Sequence, residues 1–134
     1  MSTVGARIAI AAPVVAAARE YAEAIVSELV GVKAVVVATT DGFDVVTAAR
    51  GDIDAARVAA LASSIAAIGE VVSSEARLGA SRCVTIETDS GFAVAYRVAR
   101  ADLPLVIKVL AGPDAVLAQV KYRASAAAHA LEIA

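Results

Sequence analysis

Residues 31–54, GVKAVVVATTDGFDVVTAARGDID, run directly into residues 55–76, AARVAALASSIAAIGEVVSSEA. A β-branched run, the dipeptide Asp41-Gly42, a second short apolar run and an Asp-led helix follow one another without a linker. Asp-Gly between two apolar runs is a strong hairpin signal, because its backbone preferences suit a type I′ turn. The spacing therefore predicts strands over 32–40 and 43–48. Asp52 or Asp54 can cap the next helix, since a short carboxylate accepts a bond from unpaired first-turn amides and complements the helix dipole.

Outward from this stretch, the apolar residues Val14, Ala18, Tyr21, Ile25 and Leu29 recur at spacings of three and four. They predict a first amphipathic helix from Pro13 to Val30, with Gly31 as a left-handed C-cap. Arg82 to Thr88 and Phe92 to Val98 predict a second hairpin around Asp89-Ser90-Gly91, with Gly91 at the positive-φ position of a three-residue loop. A fifth strand is expected from Leu105 to Leu110. Gly112-Pro113-Asp114 then breaks the chain and is expected to cap a last helix, whose stripe is Val116, Leu117, Val120, Ala124, Ala127 and Leu131. The resulting fold class is α+β: a single antiparallel five-stranded sheet with helices on its faces, in the order α-β-β-α-β-β-β-α. We read residues 1–12 as an N-terminal extension and 13–134 as a single domain.

The chain of 134 residues suits one domain. A net charge of −2 and the absence of Trp provide neither a basic footprint nor a stacking platform, so no nucleic-acid partner is expected. Hydrophobic residues make up 60 % of the chain. This is more than a monomer of this size readily covers, and it suggests surface that a partner buries. Charges interrupt the apolar stretches before the roughly 20 residues of a spanning helix, so no transmembrane segment is expected. Arg7 followed by IAIAAPVVAAA imitates a signal peptide, but Pro13 splits the apolar run and the amphipathic pattern continues past it. The single Cys83 requires no oxidising compartment. We therefore expect a cytoplasmic protein.

Two rows run along the middle helix. Val58, Leu61, Ile65, Ile68 and Val72 form a seam of large residues, and Ala55, Ala59, Ala62, Ala66, Gly69 and Ser73 form a row of small ones. At 100° per residue the rows lie roughly 60° apart and face different neighbours. One reading places the large row on the chain's own sheet and the small row against the same helix of a second copy, where small residues permit close approach. On that reading, charge at Ala62 and Ala66 splits the dimer. The other is an Ala-rich core helix in a monomer. The strand SRCVTIET carries no proline or lysine, so at a sheet edge it would invite another strand; alternatively it lies in the interior.

On GVKAVVVATTDGFDVV, AALASSIAAIGE, Leu78-Gly79 and Thr85-Ile86-Glu87, the chain from Ala17 onward resembles the Roadblock family, which groups dynein light chains with bacterial small-GTPase regulators. The resemblance implies a dimer in which middle helices pack together and third strands pair into one sheet. The implied interface comprises Ala55, Ala59, Ala62, Ala66 and Gly69 on the helix and Cys83, Val84, Thr85 and Ile86 on the strand. It also implies a Ras-like small GTPase as partner, regulated without catalysis by this chain, or alternatively a scaffolding role in a signalling or transport complex.

The residues supply little chemistry of their own. No phosphate-cradling G-x-x-x-x-G-K-[ST] loop is present. Cys83 and His129 would act as nucleophile and base only if adjacent. Asp41 and Asp44 are explained by the turn and a solvated strand position, leaving no expected metal site. Arg50, Arg57, Arg77, Arg82, Arg97 and Arg100 could each serve as an inserted guanidinium or as a surface charge, and nothing selects one. No catalytic residue and no cofactor are expected. A small-molecule sensor with a pocket on the sheet is the remaining class.

Overall fold

A computed structural model describes residues 10–134. The extension expected over 1–12 lies outside the described residues as far as residue 9, while Ile10 is buried in the core. Helix α1 spans Ala12–Glu28, strands β1 and β2 span Val32–Thr39 and Asp44–Ala49, and helix α2 spans Ala55–Glu75. Strands β3, β4 and β5 span Cys83–Thr88, Gly91–Val98 and Leu105–Ala111, and helix α3 spans Leu117–Glu132. The order matches the sequence reading. All five strands form one open sheet in the spatial order β2-β1-β5-β4-β3, with every neighbouring pair antiparallel.

The central strands are buried on both sides because helices cover both faces. On one face, Val14, Ala18 and Ile25 of α1 and Val120, Ala124 and Leu131 of α3 pack on Val35, Val37, Val94, Ile107 and Val109. On the other face, among the described residues, α2 lies alone across the sheet. Tyr21, expected in the α1 stripe, sits at its margin at 38 % exposure, while Ala22 and Val26 take the buried positions.

Several local expectations are corrected. In the first hairpin only Gly42 has positive φ, at 98°, so the turn is not type I′. Thr40, Asp41 and Gly42 form a three-residue loop, closed by the Thr39 amide on the Phe43 carbonyl (2.9 Å) and the Gly42 amide on the Thr39 carbonyl (3.0 Å). Helix α1 ends at Glu28 with Leu29 extended, so Gly31, though left-handed at φ 84°, belongs to the following turn and is not the cap. The second hairpin has a two-residue loop, Asp89 and Ser90, with Gly91 already in β4 opposite Thr88. Thr88 Oγ1 takes over the turn's bonding, donating to the Gly91 carbonyl (3.0 Å) and accepting from the Ser90 amide (3.3 Å). Helix α3 starts only at Leu117, beyond Asp114, and Val116 at its N-cap is 53 % exposed and makes no side-chain cap.

The ends of α2 are well specified. The Asp54 carboxylate accepts from the Arg57 amide at 3.1 Å, the capping expected from sequence. At the other end the Leu78 amide reaches the Ser73 carbonyl (2.8 Å) and the Arg77 amide reaches that of Ser74 (3.1 Å). This is a Schellman closure with Arg77, φ 57°, in the place usually taken by glycine. Beyond it the chain enters β3, an edge of the sheet.

Candidate functional site

The α2 layer is built from small side chains. Ala59 meets Val36 and Ala38, Ala62 meets Ala95 and Val106, and both alanines are fully buried. Ala66 is packed beside them. A Cβ on Gly69 would stand 2.7 Å from both Ser81 Oγ and Val84 Cγ2, so the helix crosses β3 at the closest distance its backbone allows. The large row faces outward. Leu61 is 49 % exposed, Ile68 62 % and Val72 57 %, with Val71 beside them at 62 %.

This reverses the face assignment read from sequence. Ala59, Ala62, Ala66 and Gly69 lie against the chain's own sheet, and a second copy cannot reach the two buried alanines without lifting the helix. The physical reason is the same close approach, applied to the other neighbour: small residues let a helix settle low on a sheet as readily as on another helix. Only Val58 and Ile65 of the large row share in the burial, from the margin.

The outward row also amends the membrane argument. An 18-residue window within α2 has a mean hydropathy of 1.6, long and apolar enough to cross a bilayer by length and composition. Alanines make up much of that window; Ala59 and Ala62 are engaged on the sheet, while Ala56, Ala60 and Ala67 are exposed.

Beside α2, β3 leaves one side of its backbone ladder unpaired among the described residues. Val84 is half-buried toward α2 and Ile86 is 42 % exposed on the same side of the strand. Cys83 and Thr85 lie on the other side, with Cys83 Sγ 3.7 Å from Thr85 Oγ1. The expected strand residues are thus at an edge, next to the apolar helix face, and form with it one continuous surface.

Several of the remaining candidate groups are used locally. Arg50 Nε donates to the Val26 carbonyl at 3.1 Å, closing the end of α1. Arg100 pairs with Asp102 at 2.9 Å and donates to the Ala134 carbonyl at 2.9 Å. Arg97 reaches Glu70 at 3.6 Å along the rim of a cleft of about 160 Å³ between α2 and the sheet, which Ser63, Ala66 and Val84 also line. His129 is exposed and lies 3.6 Å from Glu132. Cys83 stands opposite Tyr96, whose hydroxyl is pushed up to about 12 by burial and then by its hydrogen bond with Cys83. Among the described residues, no group of three or more His, Cys, Asp and Glu is placed to hold a metal.

Sequence reasoning passed over Lys108. It is only 5 % exposed on the central strand β5, and burial lowers its pKa. The signal was present in LVIKVLA, where a lone lysine interrupts an otherwise apolar strand.

Residues 22–108 match the Roadblock/LC7 domain family. The chain is similar in fold to a Roadblock/LC7 domain from Streptomyces avermitilis, with a TM-score of 0.76 and 21 % identity over 86 % of this chain and 94 % of that one. It is similar also to the gliding protein MglB from Thermus thermophilus, with a TM-score of 0.80 and 13 % identity over 92 % of each chain. An MglB structure with tetrameric arrangement aligns with a TM-score of 0.78 and 16 % identity over 92 % of this chain and 91 % of that one. No curated protein matches.

Proposed function

Because the chain belongs to the Roadblock/LC7 domain family, we propose that it is a dimeric, non-enzymatic regulator or adaptor of a Ras-like small GTPase, acting in the cytoplasm. The observation that carries the reading is the outward row Leu61, Ile68, Val71 and Val72 beside the free edge of β3. Covering the exposed half of each such side chain stabilises an assembly by about 1 kcal/mol apiece. Pairing two β3 edges satisfies backbone groups that otherwise meet water. The interface is therefore built from the large row and from the backbone of residues 83–86, with Val84 and Ile86 beneath the helices. The tetrameric arrangement of a relative of like fold supports self-association as a use for such a surface.

Regulation follows from differential binding: a dimer that prefers one nucleotide-dependent shape of a GTPase shifts its population toward that shape, with no catalytic group of its own. Leu61→Glu with Ile68→Glu is expected to give a monomer with an unchanged far-ultraviolet circular dichroism spectrum. An intact dimer in light scattering refutes the interface. Candidate GTPases loaded with GDP or a GTP analogue are expected to bind the wild-type dimer unequally or to change turnover. Binding without nucleotide preference or rate change favours the scaffold alternative, and no binding at all defeats the GTPase reading.

A further inference from the structure

Lys108 does not fit a surface made only for apolar contact. It stands in register between Val36 of β1 and Ala95 of β4, both on the α2 face of the sheet, and strand alternation from Val106 puts it on that face too. Its side chain is almost wholly removed from solvent. Among the described residues nothing hydrogen-bonds or ion-pairs with its ammonium. The ammonium is not among the enclosed polar atoms, so the stem is buried while the charge still reaches solvent; a cover over this flank would leave the cation unpaired unless it brings an acid.

Its position relative to α2 is fixed by the helix path. The helix passes Val36 at Ala59, Ala95 at Ala62 and Val84 at Gly69, so Lys108 falls beneath its first half, near Ala59 and Ala62. The flank with Ser63, Ala66 and Glu70 overlooks Arg97 and Val106, across the cleft. The opposite flank, with Leu61 and Ile65, is therefore the one beside Lys108. This is the flank that the proposed dimer covers.

The same seam ends in a carboxylate. Leu61, Ile65, Ile68 and Val72 step by four, three and four, and a further step of three reaches Glu75, which is exposed. The other carboxylates of this helix are engaged: Asp54 caps its start and Glu70 faces Arg97. Glu75 has no recorded partner among the described residues. In a two-fold dimer joined at β3, the partner's helix runs antiparallel across the shared edge. The six residues from Gly69 to Glu75 rise about 9 Å, roughly two strand spacings, which carries the helix end past β3 to the β4 of the other subunit and leaves the last spacing, to β5, to the two long side chains.

We propose that Lys108 is a partner-recognition residue, whose ammonium is met in the homodimer by the carboxylate of Glu75 from the second copy. The inference rests on the dimer reading above. Two-fold symmetry makes the contact twice, and it favours self-pairing over partners that lack an acid at the seam's end.

A thermodynamic cycle read by sedimentation equilibrium tests it. Glu75→Gln is expected to weaken the dimer about tenfold or more, and Glu75→Lys to weaken it further. In the Lys108→Met background, Glu75→Gln is expected to change the dissociation constant less than about twofold, because the cation it served is gone. An equal effect of Glu75→Gln in both backgrounds, or none in either, overturns the pairing while leaving the dimer standing. A wild-type chain that stays monomeric overturns the dimer reading and the pairing with it. If Lys108→Met fails to fold, the ranking of the two Glu75 variants decides: equal dissociation constants for Gln and Lys refute the contact.

Discussion

The two faces of this sheet are covered by opposite means. On one, α1 and α3 press Ile25, Leu131 and other large side chains into Val35, Ile107 and Val109 and leave few of them to solvent. On the other, a single helix rests on alanines and turns Leu61, Ile68, Val71 and Val72 outward. A helix that only had to stabilise a monomer would bury its largest residues, since transfer free energy grows with buried apolar area. The α2 face leaves that gain uncollected within the subunit. The first face holds the fold, and the second leaves its large residues open, as the proposed association requires.

The sharpest test of this division uses neighbouring residues on one helix. Ala62→Glu would force a carboxylate into the fully buried contact with Ala95 and Val106, at a cost of about 4 kcal/mol or more. We expect it to abolish the native circular dichroism spectrum, whereas Leu61→Glu, one residue away and half exposed, should keep it. A folded Ala62→Glu monomer would restore the small row as the subunit contact that the sequence suggested. Next in size, Ile107→Ala should lower unfolding stability by about 2–5 kcal/mol in urea. Ile68→Ala should change monomer stability by less than about 0.5 kcal/mol. Comparable losses at the two sites would mean the faces do not differ. Smaller still, Gly69→Ala gains helix propensity but crowds Ser81 and Val84. The net loss is expected to be about 1 kcal/mol, with exchange of β3 amides accelerated.

Most of the fold was legible because local signals agreed with one another: alternating and continuous apolar runs, Asp-Gly, an Asp cap and Gly-Pro breaks each marked an element boundary. What misled was chemistry that does not fix geometry. Asp41-Gly42 favours several turns with a positive φ at glycine, and the pairing across β1 and β2 selected the three-residue one. Asp114 can cap a helix, yet α3 begins at Leu117, where its stripe first meets the sheet. The two rows on α2 were both visible, but periodicity says only that they face different neighbours, not which neighbour each meets. The answer depends on how low the helix sits on the sheet, a property of Gly69, Ser81 and Val84 together. Lys108 was missed because a lone lysine in a strand reads as an edge residue until the strand order places it at the centre.

The smallest effect concerns one titratable group on each face, Tyr96 toward α3 and Lys108 toward α2. Burial disfavours the charged form of both, raising the tyrosine and lowering the lysine, so the two act on stability in opposite directions. Tyr96 is held near 12 from an ordinary 10.0, chiefly by burial and secondarily by Cys83. Above pH 10 the unfolded chain therefore releases this proton while the folded chain retains it, and stability falls with rising pH up to about 12. Lys108 contributes the reverse: its folded pKa lies below 10.5, so stability rises with pH until that value is passed. In an alkaline titration followed by near-ultraviolet absorbance, one tyrosine is expected to ionise only near 12. Cys83→Ser should lower that midpoint only partway, because the larger cause is burial under the α3 face. A midpoint that returned fully to 10.0 on losing the thiol would show that burial against this face is not the main cause, and would weaken the contrast between the two faces.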